Sequence, residues 1–124
     1  MFKRKRLVIL FGILLLAVLF LIGFFKQNYV APIIMYHSIN PLARQENRLA
    51  VTVKTFERQM RFLKTNHYNV VSLEALSRLI KEKKKIPSKT IAITLDDGYK
   101  DNYTYAFPVL KKYNLSATLF IIVN

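Results

Sequence analysis

No cysteine occurs anywhere in the chain. That excludes disulfides, thiolate metal sites and cysteine nucleophiles. It is compatible with export. Histidine is scarce too, with only His37 and His67 present. Acidic residues number 7 against 20 Lys and Arg, giving a formal charge of +13 over 124 residues. Five of the cations (Lys3, Arg4, Lys5, Arg6 and Lys26) flank an apolar run at the N-terminus. The remainder, Gln27 to Asn124, holds 15 basic and 7 acidic residues and is still +8. Such an excess suits an anionic partner, whether lipid headgroup, cell-wall polymer or nucleic acid, without choosing among them. The length allows one small domain. No internal repeat or low-complexity segment is present.

Charge is also missing from one long stretch. Leu7 to Phe25, "LVILFGILLLAVLFLIGFF", runs 19 residues without a charged side chain or a polar face. At about 1.5 Å per residue, a helix of this length nearly spans a hydrocarbon core of roughly 30 Å. The preceding "KRKR" cluster stays on the cytoplasmic side, which puts the C-terminal portion outside. A cleaved signal peptide usually has an apolar core of about 7 to 15 residues and a small-x-small cleavage site. Here the run is longer, and "FFKQNYVAPII" contains no A-x-A pattern. The expected organisation is a cytoplasmic basic segment (1–6), an uncleaved transmembrane signal-anchor (7–25), a linker (26–31) and one extracellular domain (32–124). That orientation disfavours a nucleic-acid partner.

After the anchor, apolar runs and amphipathic stretches alternate. "IIMY", Ile33 to Tyr36, reads as a buried strand. "NPLARQENRLAVT" reads as a polar loop opened by an Asn-Pro turn. "VKTFERQMRFLKTNHY" reads as a helix with Phe56, Met60, Leu63 and His67 on one face. "YNVVSL" is a short strand. Ser72 is an N-cap for the helix "LEALSRLIKEK", whose stripe is Leu73, Leu76, Leu79 and Ile80 and which Pro87 ends. Its basic tail complements the helix dipole. "TIAITL" is a strand, "KDNYTYAFPVLKKY" a helix kinked or restarted at Pro108, and "SATLFIIV" a last strand. The last two strands are apolar at nearly every position, as strands covered on both faces are. The order β-α-β-α-β-α-β predicts an α/β fold with a parallel sheet.

In parallel α/β folds, catalytic groups sit at the C-terminal ends of strands. Asp96 and Asp97 fall at such an end, with Gly98 behind them. One carboxylate can bind a divalent metal while the other accepts a proton from a water. An Asp-Gly pair is equally a common turn. His37, at the end of the first strand, reads either as structural or as part of a site. His67 reads as structural, and "KEKKK" as a solvated helix terminus.

Three separated motifs occur in a fixed order: "PIIMYHSI", "VTVKTFERQMRFLKTNHYNVVSLEAL" and "IAITLDDGYKDNYTYAFPVLKKYNLSATLFII". Together they resemble the N-terminal half of the polysaccharide deacetylases, the chitin, peptidoglycan and poly-N-acetylglucosamine deacetylases of carbohydrate esterase family 4. The resemblance covers residues 31–124. It implies the N-terminal part of a distorted (β/α) barrel, preceded here by one transmembrane helix. It also implies metal-dependent hydrolysis of N-acetyl groups from an amino-sugar polysaccharide. The family motif Thr-Phe-Asp-Asp-Gly stands here as Thr94-Leu95-Asp96-Asp97-Gly98. By that match Asp96 is the catalytic base, Asp97 a ligand of a divalent metal such as zinc, and His37 a residue lining the site.

The family completes its metal site with a His-x-x-x-His-Pro motif, which these 124 residues do not contain. The expectation is an incomplete metal site in a truncated chain that is inactive by itself. The alternative function is a membrane-anchored basic module that binds anionic cell-wall polymer or lipid without catalysis.

Overall fold

The structure is a computed structural model that describes residues 2–27, 29–44 and 46–123. Met1, Asn28, Gln45 and Asn124, which fall in the expected basic segment, linker, polar loop and domain end, lie outside the described residues. Contacts divide the chain into two compact units, Met1–Val30 and Ala31–Asn124.

The first unit is helix α1, Phe2–Gln27. Within it, Arg4–Phe25 is long and apolar enough to cross a membrane. Its large apolar side chains from Leu7 to Phe25 are exposed. In water that surface would be strongly unfavourable, at about 25 cal/mol for each Å² of apolar area.

The second unit is α/β. Its elements are β1 (Ile33–Tyr36), β2 (Ser38–Ile39), β3 (Ala50–Val51), α2 (Val53–Thr65), β4 (Asn69–Val71), α3 (Leu73–Lys81), β5 (Thr90–Leu95), a π-helical turn (Asn102–Ala106), α4 (Phe107–Tyr113) and β6 (Thr118–Leu119). The main sheet is parallel, as expected, and β5 is its axis. β1 pairs with Ala92 to Leu95, β4 with Thr90 to Ala92, and β6 with Thr94 and Leu95. β1 thus occupies one edge of β5, while β4 and β6 divide the other. Every residue of β5 is buried, which explains its unbroken run of β-branched and small apolar residues. β2 and β3 form a separate two-residue parallel pair.

Phe56 and Met60 of α2 are fully buried, with Leu63 nearly so, against Tyr36, Ile91, Ile93 and Leu95. Their i, i+4, i+7 spacing puts them on one helical face. Thr52 caps α2 by accepting from the Thr55 N–H at 3.1 Å, and Ser72 caps α3 by accepting from Ala75 at 3.1 Å. Each cap contributes about 1 kcal/mol.

Several expectations need correction. His67 is not on the α2 face. It lies beyond the helix in left-handed backbone at φ 56° and is exposed. Its N–H bonds Lys64 O, and that of Tyr68 bonds Leu63 O. This i−3 and i−5 pairing is a Schellman ending, which needs a positive φ where the helix stops. α3 ends in the same way, at Lys83 (φ 51°), before Pro87 is reached. The β1 strand is only partly buried: Ile33 is 52% and Met35 59% exposed, because one edge and face of β1 are uncovered. The last strand shrinks to Thr118–Leu119, and Phe120 to Val123 are exposed. Pro108 stands where a helix restarts, as expected: it lies in the first turn of α4, which begins at Phe107. Ahead of it the chain widens into the π-helical turn, where the Phe107 N–H reaches Asn102 O. A wider turn accommodates a proline that lacks an N–H and crowds the preceding carbonyls.

Candidate active site

β1 and β5 end level with one another. Tyr36 stands opposite Leu95, and the Asp96 N–H donates to the Tyr36 carbonyl at 2.8 Å. The next residue on one side is His37. On the other, Asp97 (φ 68°) and Gly98 (φ 65°) both adopt left-handed backbone. Two such residues in succession stop the strand and turn the chain into the helix that begins at Lys100. Aspartate tolerates that region better than most residues, and glycine enters it freely. Gly98 is also closely approached: a Cβ there would lie 3.0 Å from Cγ2 of Ile121, which would have to shift.

Of the three predicted site residues, the structure brings His37 and Asp97 near one another, with Asp96 adjacent to Asp97 in the chain. His37 Nε2 lies 4.0 Å from Asp97 Oδ2, with both side chains partly exposed. Asp96 is half-buried, and its Oδ1 is buried without a hydrogen-bond partner. An unpartnered carboxylate oxygen costs stability and is available to accept a proton. The neighbouring Tyr36 is not a competing base. Burial pushes its hydroxyl up to about 12, and it donates to Gln59 Oε1 at 2.8 Å.

Sequence reasoning missed Ser38, Asp101 and Asn102 as members of this region. Ser38 Oγ donates to Asp101 Oδ2 at 2.5 Å. Asp101 Oδ1 and both amide atoms of Asn102 are buried without partners. One signal was present: the chain has only three aspartates, and all fall between positions 96 and 101.

A catalytic metal normally takes three protein ligands. Among the described residues, no group of three or more His, Cys, Asp or Glu side chains could hold an ion. His37 and Asp97 supply two donors. These residues alone therefore do not fit a catalytic metal.

Residues 83–124 match the family model for polysaccharide deacetylase. The Bacillus subtilis protein YxkH, whose name assigns it to the polysaccharide deacetylases, is 45% identical over 91 residues, 73% of this chain. The chain belongs to the polysaccharide deacetylase family. A Staphylococcus epidermidis poly-beta-1,6-N-acetyl-D-glucosamine N-deacetylase is a further member, 35% identical over 66% of the chain. Among solved structures, the Streptococcus pyogenes deacetylase PplD in complex with acetate superimposes with a TM-score of 0.67 at 33% identity over 74% of the chain. The chain spans 31% of the length of YxkH, 28% of the staphylococcal enzyme and 42% of the PplD chain. The family match includes Asp96, Asp97 and Asp101, while His37 lies outside it.

Proposed function

We propose that this chain contributes the aspartate half of the active site of a membrane-anchored polysaccharide N-deacetylase. The observation that supports the reading is the approach of His37 to Asp97, beside Asp96 with its unpartnered oxygen, just past the end of the fully buried strand β5. In the reaction, water adds to the carbonyl carbon of an N-acetyl group, the carbon–nitrogen bond breaks, and acetate leaves a free amine. Asp96 takes the proton from the water, a role its unpartnered oxygen suits. Asp97 is one ligand of a divalent ion such as zinc, and His37 lines the site beside it. Such an ion, were its ligand set completed, would supply a water of lowered pKa and polarise the carbonyl. His37 and Asp97 are too few donors to hold it, so further ligands from outside this set are required.

The wider fold is the N-terminal part of a distorted (β/α) barrel. Leu7–Phe25 is the anchor, and the domain faces the extracellular polymer. Its positive charge suits an anionic cell wall.

The test is a chimera in which residues 31–124 replace the aligned segment of YxkH. Acetate release from N-acetylated glucosamine polymer is measured with added divalent metal. Release that disappears in Asp96→Ala supports the reading. A folded, metal-loaded chimera that releases no acetate, or one that keeps its activity without Asp96, overturns it.

A further inference from the structure

His37 is held from both sides. Before it, the Tyr36 carbonyl accepts from Asp96 N–H; after it, Ser38 N–H donates to Leu49 O at 3.1 Å in the β2–β3 pair and Ser38 Oγ donates to Asp101. Its own approach to Asp97, at 4.0 Å, is beyond hydrogen-bond length. The imidazole is thus placed by the backbone that carries it. Of these attachments, Asp96 to Tyr36 continues the main-sheet ladder, and Ser38 N–H to Leu49 O belongs to the β2–β3 pair. Ser38 to Asp101 belongs to no ladder and joins side chains 63 positions apart. An O–H to carboxylate contact of 2.5 Å has the length of a charge-assisted bond, about twice as strong as a neutral one.

Helix capping does not account for Asp101. It stands at the start of the last helical segment, yet its side chain makes no capping bond. One of its oxygens is spent on Ser38 and the other is buried with no partner. A carboxylate half-satisfied in this way costs free energy where it stands.

We propose that the Ser38–Asp101 hydrogen bond holds the His37 ring against Asp97, so that Ser38 and Asp101 are positioning residues of the site. Its catalytic meaning rests on the deacetylase reading. The geometry does not, and the test uses that separation.

The chain has only two histidines, so its imidazole NMR signals are two sets, with exposed His67 as an internal control. The full chain in detergent micelles is compared with Ser38→Ala, Asp101→Ala and Ser38→Thr at one pH. In Ser38→Ala and Asp101→Ala the His37 ring signals move toward those of His67, while His67 and the backbone amide dispersion stay unchanged. Ser38→Thr, which keeps the hydroxyl, restores the wild-type positions. His37 signals that do not move in a folded Ser38→Ala chain overturn the proposal. Unfolding by both alanine variants also overturns it, because the bond is then structural. In a YxkH chimera that is active, Ser38→Ala lowers kcat about tenfold with KM unchanged; an unchanged kcat there counts against the proposal. An inactive parent chimera refutes the deacetylase reading only, and the NMR result still decides the positioning claim.

Discussion

Tyr36 stands opposite Leu95 in the parallel register of β1 and β5, so His37 and the aspartate pair leave the sheet side by side. The turn that follows depends on Gly98, which combines a positive φ with close contact to Ile121. Gly98→Ala is expected to lower stability by about 1–2 kcal/mol, since it adds left-handed strain to a crowded contact. Chemical unfolding of the variant against wild type checks this.

Asp96→Asn should separate chemistry from stability. In the YxkH chimera it is expected to reduce deacetylation by about 10²–10⁴-fold, the usual contribution of a general base. The melting temperature should not fall, because the oxygen it changes has no hydrogen bond to lose. A large drop in melting temperature would show that Asp96 holds the fold rather than the reaction.

The helix endings allow a stabilising change. His67, Lys83 and Asn114 each end a helix at positive φ without being glycine. Lys83 is exposed and long-chained, so Lys83→Gly is expected to raise stability by about 0.5–1 kcal/mol. Asn114→Gly should gain less, because asparagine already tolerates that region. Paired unfolding curves of the two variants read the difference.

Tyr36 predicts an alkaline weakness. Burial raises its hydroxyl from 10.0 to about 12. The folded state keeps the proton at pH values where the unfolded chain releases it. The resulting stability is fully present below the unfolded value of 10.0 and is lost as pH rises through about 12. The stability gap between wild type and Tyr36→Phe should therefore be constant up to pH 10 and narrow above it. A gap that stays constant through that window contradicts the shift.

Much of the domain was legible where the signal is local. The face of α2, the Ser72 cap and the buried run Thr90 to Leu95 follow from spacing within single elements, whereas of the expected α3 stripe only Leu76 is buried and Ile80 is exposed. The Asp96–Asp97–Gly98 turn was also visible, because a strand end followed by glycine is a short-range pattern. His67 was misplaced for the opposite reason. Helical periodicity continues through it on paper, but the Tyr68 N–H finds Leu63 O and the helix ends. The Ser38–Asp101 contact was invisible, since nothing in either neighbourhood announces a partner 63 positions away.

By itself, the sequence determined the apolar helix α1, the alternation of strands with helices and the identity of the paired carboxylates. These depend on composition and on periods of a few residues, so they survive without knowledge of neighbours. Only the tertiary structure decided that His37 faces Asp97, that Asp101 reaches back to Ser38, and that Ile33 and Met35 lie open while Ile91 and Ile93 are buried. Those outcomes depend on strand register and on which edge of β5 each strand takes. A strand's own residues do not encode its neighbour, because the backbone groups that pair across a sheet are the same in every residue except proline.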